Sequence, residues 1–98
     1  MAKVSKAKRD KNRWIGVQIS KKPVTRATLE DNLLKIMGDI NWKLFDLIDD
    51  DMHTLAILRT SLEDSLEAKK KINSIDGMST LTTSGKIRLV RQRLGIHK

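Results

Sequence analysis

Over Arg13-Trp14-Ile15-Gly16-Val17-Gln18-Ile19-Ser20, apolar Ile15, Val17 and Ile19 alternate with polar or small neighbours. That period of two predicts a half-buried strand. Lys21-Lys22-Pro23 ends it, because proline has no N–H to continue a ladder. The period then lengthens. Leu29, Leu33, Ile36, Met37 and Ile40 fall on one stripe at about 100° per residue, which predicts an amphipathic helix. Thr25 or Thr28 can cap its start by accepting a backbone N–H, and Gly38 can close it through a left-handed conformation. Asn41 to Ile48 (NWKLFDLI) and His53 to Thr60 (HTLAILRT) are apolar runs on either side of Asp49-Asp50-Asp51-Met52. They predict an antiparallel hairpin with an acidic turn. Both runs carry apolar side chains on each parity: Trp42, Leu44 and Ile48 against Phe45 and Leu47, then Leu55 and Ile57 against Ala56 and Leu58. Such a sheet needs cover on both faces.

Thr60 with Glu63 matches a capping box and predicts a second helix from that point. Leu62, Leu66, Ala68, Ile72 and Ile75 make up its apolar side, with Lys69 snorkelling from within the stripe. Asp76-Gly77 stops it. Met78 to Thr83 (MSTLTT) reads as a short strand, Ser84-Gly85 as a turn, and Lys86 to Leu94 (KIRLVRQRL) as a short basic helix ended by Gly95. Ile87, Val90 and Leu94 share a stripe that can dock on the sheet, whereas Arg88, Arg91 and Gln92 point away. The expected fold is α+β, a β-α-β-β-α-β sandwich of RRM-like or ferredoxin-like type with an added basic C-terminal helix. Residues 13–98 form a single domain behind a basic flexible N-terminal arm, residues 1–12. Two helices on one face leave the other face of the sheet to be covered by something else.

Composition narrows the function. With 98 residues there is room for one core. The absence of cysteine removes thiol catalysis and cysteine-based zinc sites. No apolar run approaches the ~20 residues of a membrane span, and the basic start leads into no apolar signal segment; a cytoplasmic location is expected. Charge changes the picture more. Residues 1–26 hold nine Lys/Arg against one acid, residues 27–68 three against ten, and residues 69–98 eight against one. Two basic ends flank an acidic middle. Brought together, those ends make one positive surface able to displace counterions from a nucleic-acid backbone.

An RRM-like sheet that reads unpaired bases uses exposed rings. The run HTLAILRT has none, and the chain holds only Trp14, Trp42 and Phe45. Contacts from basic side chains to phosphate and ribose fit the sequence better than base stacking. The segment from Thr83 to Leu94 is the most informative, since a Ser-Gly turn before a helix leaves N–H groups free for an anion and Arg forks a phosphate. The candidate RNA-binding residues are therefore Lys6, Lys8, Arg9, Lys11 and Arg13 in the arm and first strand, and Ser84, Gly85, Lys86, Arg88, Arg91 and Arg93 near the C-terminus. Asp49-Asp50-Asp51 reads as a solvated loop tip rather than a magnesium site. His53 and His97 stand apart from any nucleophile or ligand set. Trp14 and Trp42 read as packing anchors, at least one of them in the core. No Gly-rich phosphate loop, catalytic triad or HExxH-type motif is present. The polypeptide reads as a binding module with no catalytic residue, bound metal or cofactor of its own.

Taken in order, these segments resemble the archaeal ribonuclease P protein component two, counterpart of the eukaryotic Pop-five subunit of ribonuclease P and MRP. The resemblance runs from about Arg13 to Lys98. It rests on the basic lead into an aromatic-started strand (Lys11-Asn12-Arg13-Trp14-Ile15), the strand Ile57-Leu58-Arg59, the helix ending at Ile75-Asp76-Gly77, and Thr83-Ser84-Gly85-Lys86-Ile87-Arg88 followed by Leu94-Gly95-Ile96-His97-Lys98. Lys86 stands where the family pattern has threonine. The resemblance implies an RRM-like subunit without catalytic residues in an endoribonuclease complex, supporting a catalytic RNA that removes 5′ leaders from precursor tRNA. The partners implied are ribonuclease P RNA, precursor tRNA in the assembled complex, a TIM-barrel-like protein subunit and other ribonuclease P proteins, with magnesium carried by the RNA. The TIM-barrel-like subunit, or self-association, is one way to cover the second face of the sheet. Two other functions share the pattern: a ribosomal-type scaffold protein for structured RNA, and a small acylphosphatase-like enzyme, which needs a phosphate-cradling loop where Lys21-Lys22-Pro23 and Arg26 stand.

Overall fold

The computed structural model describes residues 12–20, 25–49 and 53–96. The chain runs β1 (Asn12–Ile19), α1 (Arg26–Met37), β2 (Trp42–Asp49), β3 (Thr54–Ser61), α2 (Ser65–Asn73), β4 (Met78–Ser84) and α3 (Ile87–Leu94). The four strands form one antiparallel sheet in the order β2-β3-β1-β4. This is the β-α-β-β-α-β sandwich with an added C-terminal helix that the hydrophobic pattern predicts. The first strand begins one residue earlier than expected, so Asn12 belongs to the sheet and not to the arm.

One face of the sheet carries the main core. Ile15, Val17 and Ile19 of β1, Leu44 of β2, Ala56 and Leu58 of β3 and Met78 of β4 pack with Leu29, Leu33 and Met37 of α1 and Ala68 and Ile72 of α2. Thr25 caps α1, its hydroxyl accepting the Thr28 N–H at 3.1 Å, and Gly38 ends the helix at φ 59°, a conformation that favours glycine. The second helix departs from the expected capping box. Thr60 is buried inside β3, paired with Arg13 on one side and Trp42 on the other, so the ladder claims its backbone and it cannot cap. A turn follows instead, with the Asp64 N–H donating to Ser61, and the Asp64 carboxylate accepts the Asn41 N–H at 3.2 Å. Because α2 starts at Ser65, Ala68 and Ile72 face the core, while Leu62 and Leu66 are 37% and 63% exposed rather than part of the apolar side.

The second face is covered from within the chain. Val90 of α3 and Ile96 just beyond it pack with Leu55 and Ile57 of β3, bordered by Trp14, Ile48, Ile87 and Leu94. Gly16 makes the close approach possible. A Cβ there would lie 3.0 Å from Leu94 Cδ1 and 3.1 Å from Val90 Cγ1. The expectation that α1 and α2 cannot cover both faces holds, and α3 is the cover, leaving less of this face for a partner or a second copy.

Parity on β2 is shifted by a bulge. Leu44 pairs with Leu58 and Asp46 with the adjacent Ile57, so Phe45 is the extra residue. Beyond it Leu47 joins the main core and Ile48 the second cluster. The alternation expected from sequence put Ile48 with Trp42 and Leu44; the inserted residue reverses it.

Candidate nucleic-acid interface

Strand pairing brings five chain segments to one end of the sheet. Asn12 of β1 is opposite Ser61 of β3, Trp14 is opposite Ser84 of β4, and Trp42 of β2 is opposite Thr60. The start of β1, which the basic arm enters, therefore lies beside the end of β4, from which Gly85 and Lys86 lead into α3. The starts of β1 and β2, the ends of β3 and β4 and the start of α3 share this end. The acidic hairpin turn leaves β2 at its other end, after Asp49.

At the basic end Arg13 is half-buried, donating from Nη1 to the Asn12 carbonyl at 3.1 Å. The same nitrogen would lie 3.2 Å from a Cβ on Gly85, so a glycine in the turn lets the guanidinium lie against it. Lys86 and Arg88 are exposed. No carboxylate pairs with Arg13, Lys43, Arg59, Lys86 or Arg88 among the described residues. Unpaired cations can give up their hydration and counterions to a phosphate without first breaking a protein contact. Lys6, Lys8, Arg9 and Lys11 lie outside the described residues, as do Asp50, Asp51 and His97.

Three of the expected phosphate-binding groups are differently employed. Arg91 does not point away: its Nε donates to Asp46 Oδ2 at 2.7 Å and its Nη2 to Oδ1 at 3.3 Å. The bulge aims Asp46 at the α3 side, where its side chain is 3% exposed, so the pair pins α3 to β2. The hydrogen bond to Asp46 raises the Arg91 pKa above the ordinary arginine range, with burial acting in the opposite sense. Arg93 is exposed but its Nη1 donates to Thr82 Oγ1 at 2.9 Å and to the Thr83 carbonyl at 3.2 Å, along β4. The Ser84 hydroxyl accepts the Lys86 N–H at 3.2 Å, so one donor expected to be free in the Ser-Gly turn is already used.

Four residues that the sequence reading did not assign to the site join it. Lys43 pairs with Arg59, and Arg59 with Trp14, so these three form a row across β2, β3 and β1. The bulged Phe45 sits among them. Its ring meets Trp14 edge-on, centroids 4.7 Å apart at 82°, with the Arg59 guanidinium 5.4 Å and the Lys43 ammonium 5.5 Å from its centroid. Searching the third strand for rings missed this cluster, because the rings come from β1 and β2. Trp42, by contrast, packs against the main core, which fits the expectation that at least one tryptophan anchors it.

Arg26 is the arginine that the enzyme-like alternative calls on. Arg26 donates to the Leu44 carbonyl and pairs with Glu30 at 3.5 Å, while Lys21 to Pro23 lie outside the described residues. Among the described residues no three His, Cys, Asp or Glu side chains group as a metal site requires, and no helix is long and apolar enough to cross a membrane. Neither a protein-family model nor a curated protein matches the chain.

Proposed function

We propose that this chain is a non-catalytic RNA-binding subunit of ribonuclease P, acting in the cytoplasm on the catalytic RNA that trims precursor tRNA. The observation that carries the reading is the convergence of the basic arm's entry point, Arg13, Lys43, Arg59, Lys86 and Arg88 on one end of the sheet, without carboxylate partners among the described residues. Such a surface neutralises phosphates in a folded RNA, and its fixed geometry favours shape over base sequence. The motif order from Arg13 to Lys98 supplies the choice of ribonuclease P RNA over other structured RNAs. In this reading the RNA and its magnesium ions cleave the phosphodiester, and the protein lowers repulsion between RNA segments. The TIM-barrel-like subunit and other ribonuclease P proteins assemble with it.

Reconstitution decides it. Adding the chain to ribonuclease P RNA together with the remaining protein subunits is expected to restore precursor-tRNA cleavage at low magnesium. Tight RNA binding with no gain in cleavage would instead favour a scaffold protein of ribosomal type.

A further inference from the structure

The cluster of Trp14, Phe45, Lys43 and Arg59 does more than add charge. Trp14 and Phe45 are each half-buried, so neither residue is fully withdrawn from solvent, and both cations lie near the Phe45 ring. Here two cations stand over Phe45, each neighbour to a residue of the row, and neither has a carboxylate to hold it there. Arg59 is the cross-strand partner of both Trp14 and Lys43, so the three residues are neighbours across adjacent strands. Rings beside a planar cation and a point charge suit the two chemistries of a single nucleotide, the π-face of its base and the charge of its phosphate.

We infer that this row is a site for one unpaired nucleotide of RNA, its base stacked on Trp14 and its phosphate held by Lys43 and Arg59. The inference rests on the RNA-binding reading above and deepens it, since it adds a stacked base to a surface otherwise made for phosphate. A base has a π-face whatever its identity, so the site selects for an unpaired, extruded nucleotide and not for a sequence. The bulge sets its border, because it puts Asp46 on the same face as Lys43 and Phe45. Without the extra residue β2 would not send both Phe45 to this cluster and Asp46 to Arg91.

The test uses the full chain carrying Trp42→Phe, which leaves Trp14 as the remaining one of two tryptophans. Octa-adenylate at low salt is expected to quench Trp14 emission in a saturable way. Phe45→Leu and Arg59→Gln, added singly, are each expected to weaken that binding, by about tenfold where stacking is lost. Inorganic polyphosphate of matched charge is expected to bind without quenching. In the unaltered chain, 2-aminopurine placed centrally in the oligonucleotide reports the same stacking from the RNA side, so a poorly folded variant does not decide the matter. Binding of octa-adenylate with no change in either emission overturns the nucleotide site, as does equal quenching by polyphosphate. Cleavage restored in reconstitution without quenching sinks this site alone, whereas quenching without reconstitution sinks the ribonuclease P reading and leaves the nucleotide site standing.

Discussion

The two faces of the sheet are built to different standards. Under α1 and α2 lies a continuous apolar layer with residues from all four strands and both helices. Under α3 the buried set is four residues, joined by one ion pair and by a glycine that lets the helix approach. The first face has little polar chemistry and few ways to be anything but core. On the second face, the end of the sheet that holds Trp14, Phe45, Lys43 and Arg59 keeps half-buried rings and unpaired cations. Stability is thus concentrated on one side, and the other is free to carry charge at a surface.

That contrast can be broken first at the core. Leu33→Ala, at a residue 1% exposed, is expected to lower unfolding free energy by about 3 kcal/mol, read as a fall in denaturant midpoint at unchanged slope. A loss no larger than that of a surface leucine such as Leu34, 64% exposed, would mean that the main core is not where the stability resides.

The ion pair comes next. Arg91→Ala leaves the Asp46 carboxylate buried without its guanidinium, an expected loss of about 2–3 kcal/mol, at the low side of the range for buried pairs because Arg91 is itself 30% exposed. Replacing both partners with leucine is expected to recover most of it, since an apolar pair removes the buried charge. The raised Arg91 pKa fixes the alkaline side of the pH dependence: the guanidinium's share is constant as pH rises through neutrality and is lost only in strong alkali. Gly16→Ala should act more gently, by about 1–2 kcal/mol, because its new Cβ meets the ends of Leu94 and Val90, which can shift. Amide exchange in α3 that accelerates while α1 is unaffected would place the effect on the second face alone.

How much of this was legible beforehand follows the same division. The main core was readable because Ile15, Val17 and Ile19 alternate cleanly and Leu29, Leu33 and Met37 keep a helical stripe; local period and burial agree there. The second face was harder. A stripe of Ile87, Val90 and Leu94 announced a docking helix, but one inserted residue at Phe45 reversed the parity of β2 beyond it. No count of apolar positions shows a bulge. For the same reason Asp46 gave no sign that it would face Arg91, and an arginine on an otherwise exposed helix face read as a phosphate ligand. The misplaced start of α2 has another cause: Thr60 and Glu63 satisfy a capping pattern, yet pairing of β3 with two neighbouring strands outweighs a local cap. Convergence of the basic ends could be expected from charge and topology together, because antiparallel pairing of β1 with β4 brings the first strand's start to the last strand's end.

The smallest effect on stability separates the two kinds of arginine most sharply. Arg88 and Arg91 are on the same helix turn and alike in charge, and from sequence both read as outward-facing. Arg88 is exposed with no carboxylate partner among the described residues, whereas Arg91 is committed to Asp46. Arg88→Ala is therefore expected to change unfolding free energy by less than about 0.5 kcal/mol, as surface substitutions generally do. If its guanidinium neutralises one phosphate, binding to ribonuclease P RNA weakens and the slope of log affinity against log salt falls by about 0.7–0.9. Arg91→Ala should give the opposite pair of results, a destabilised fold and, measured well below its melting temperature, a salt slope close to that of the unaltered chain. Equal slopes for both variants would mean that α3 faces the RNA with its whole outer side or not at all, and the distinction drawn between the ion pair and the free cations would fail.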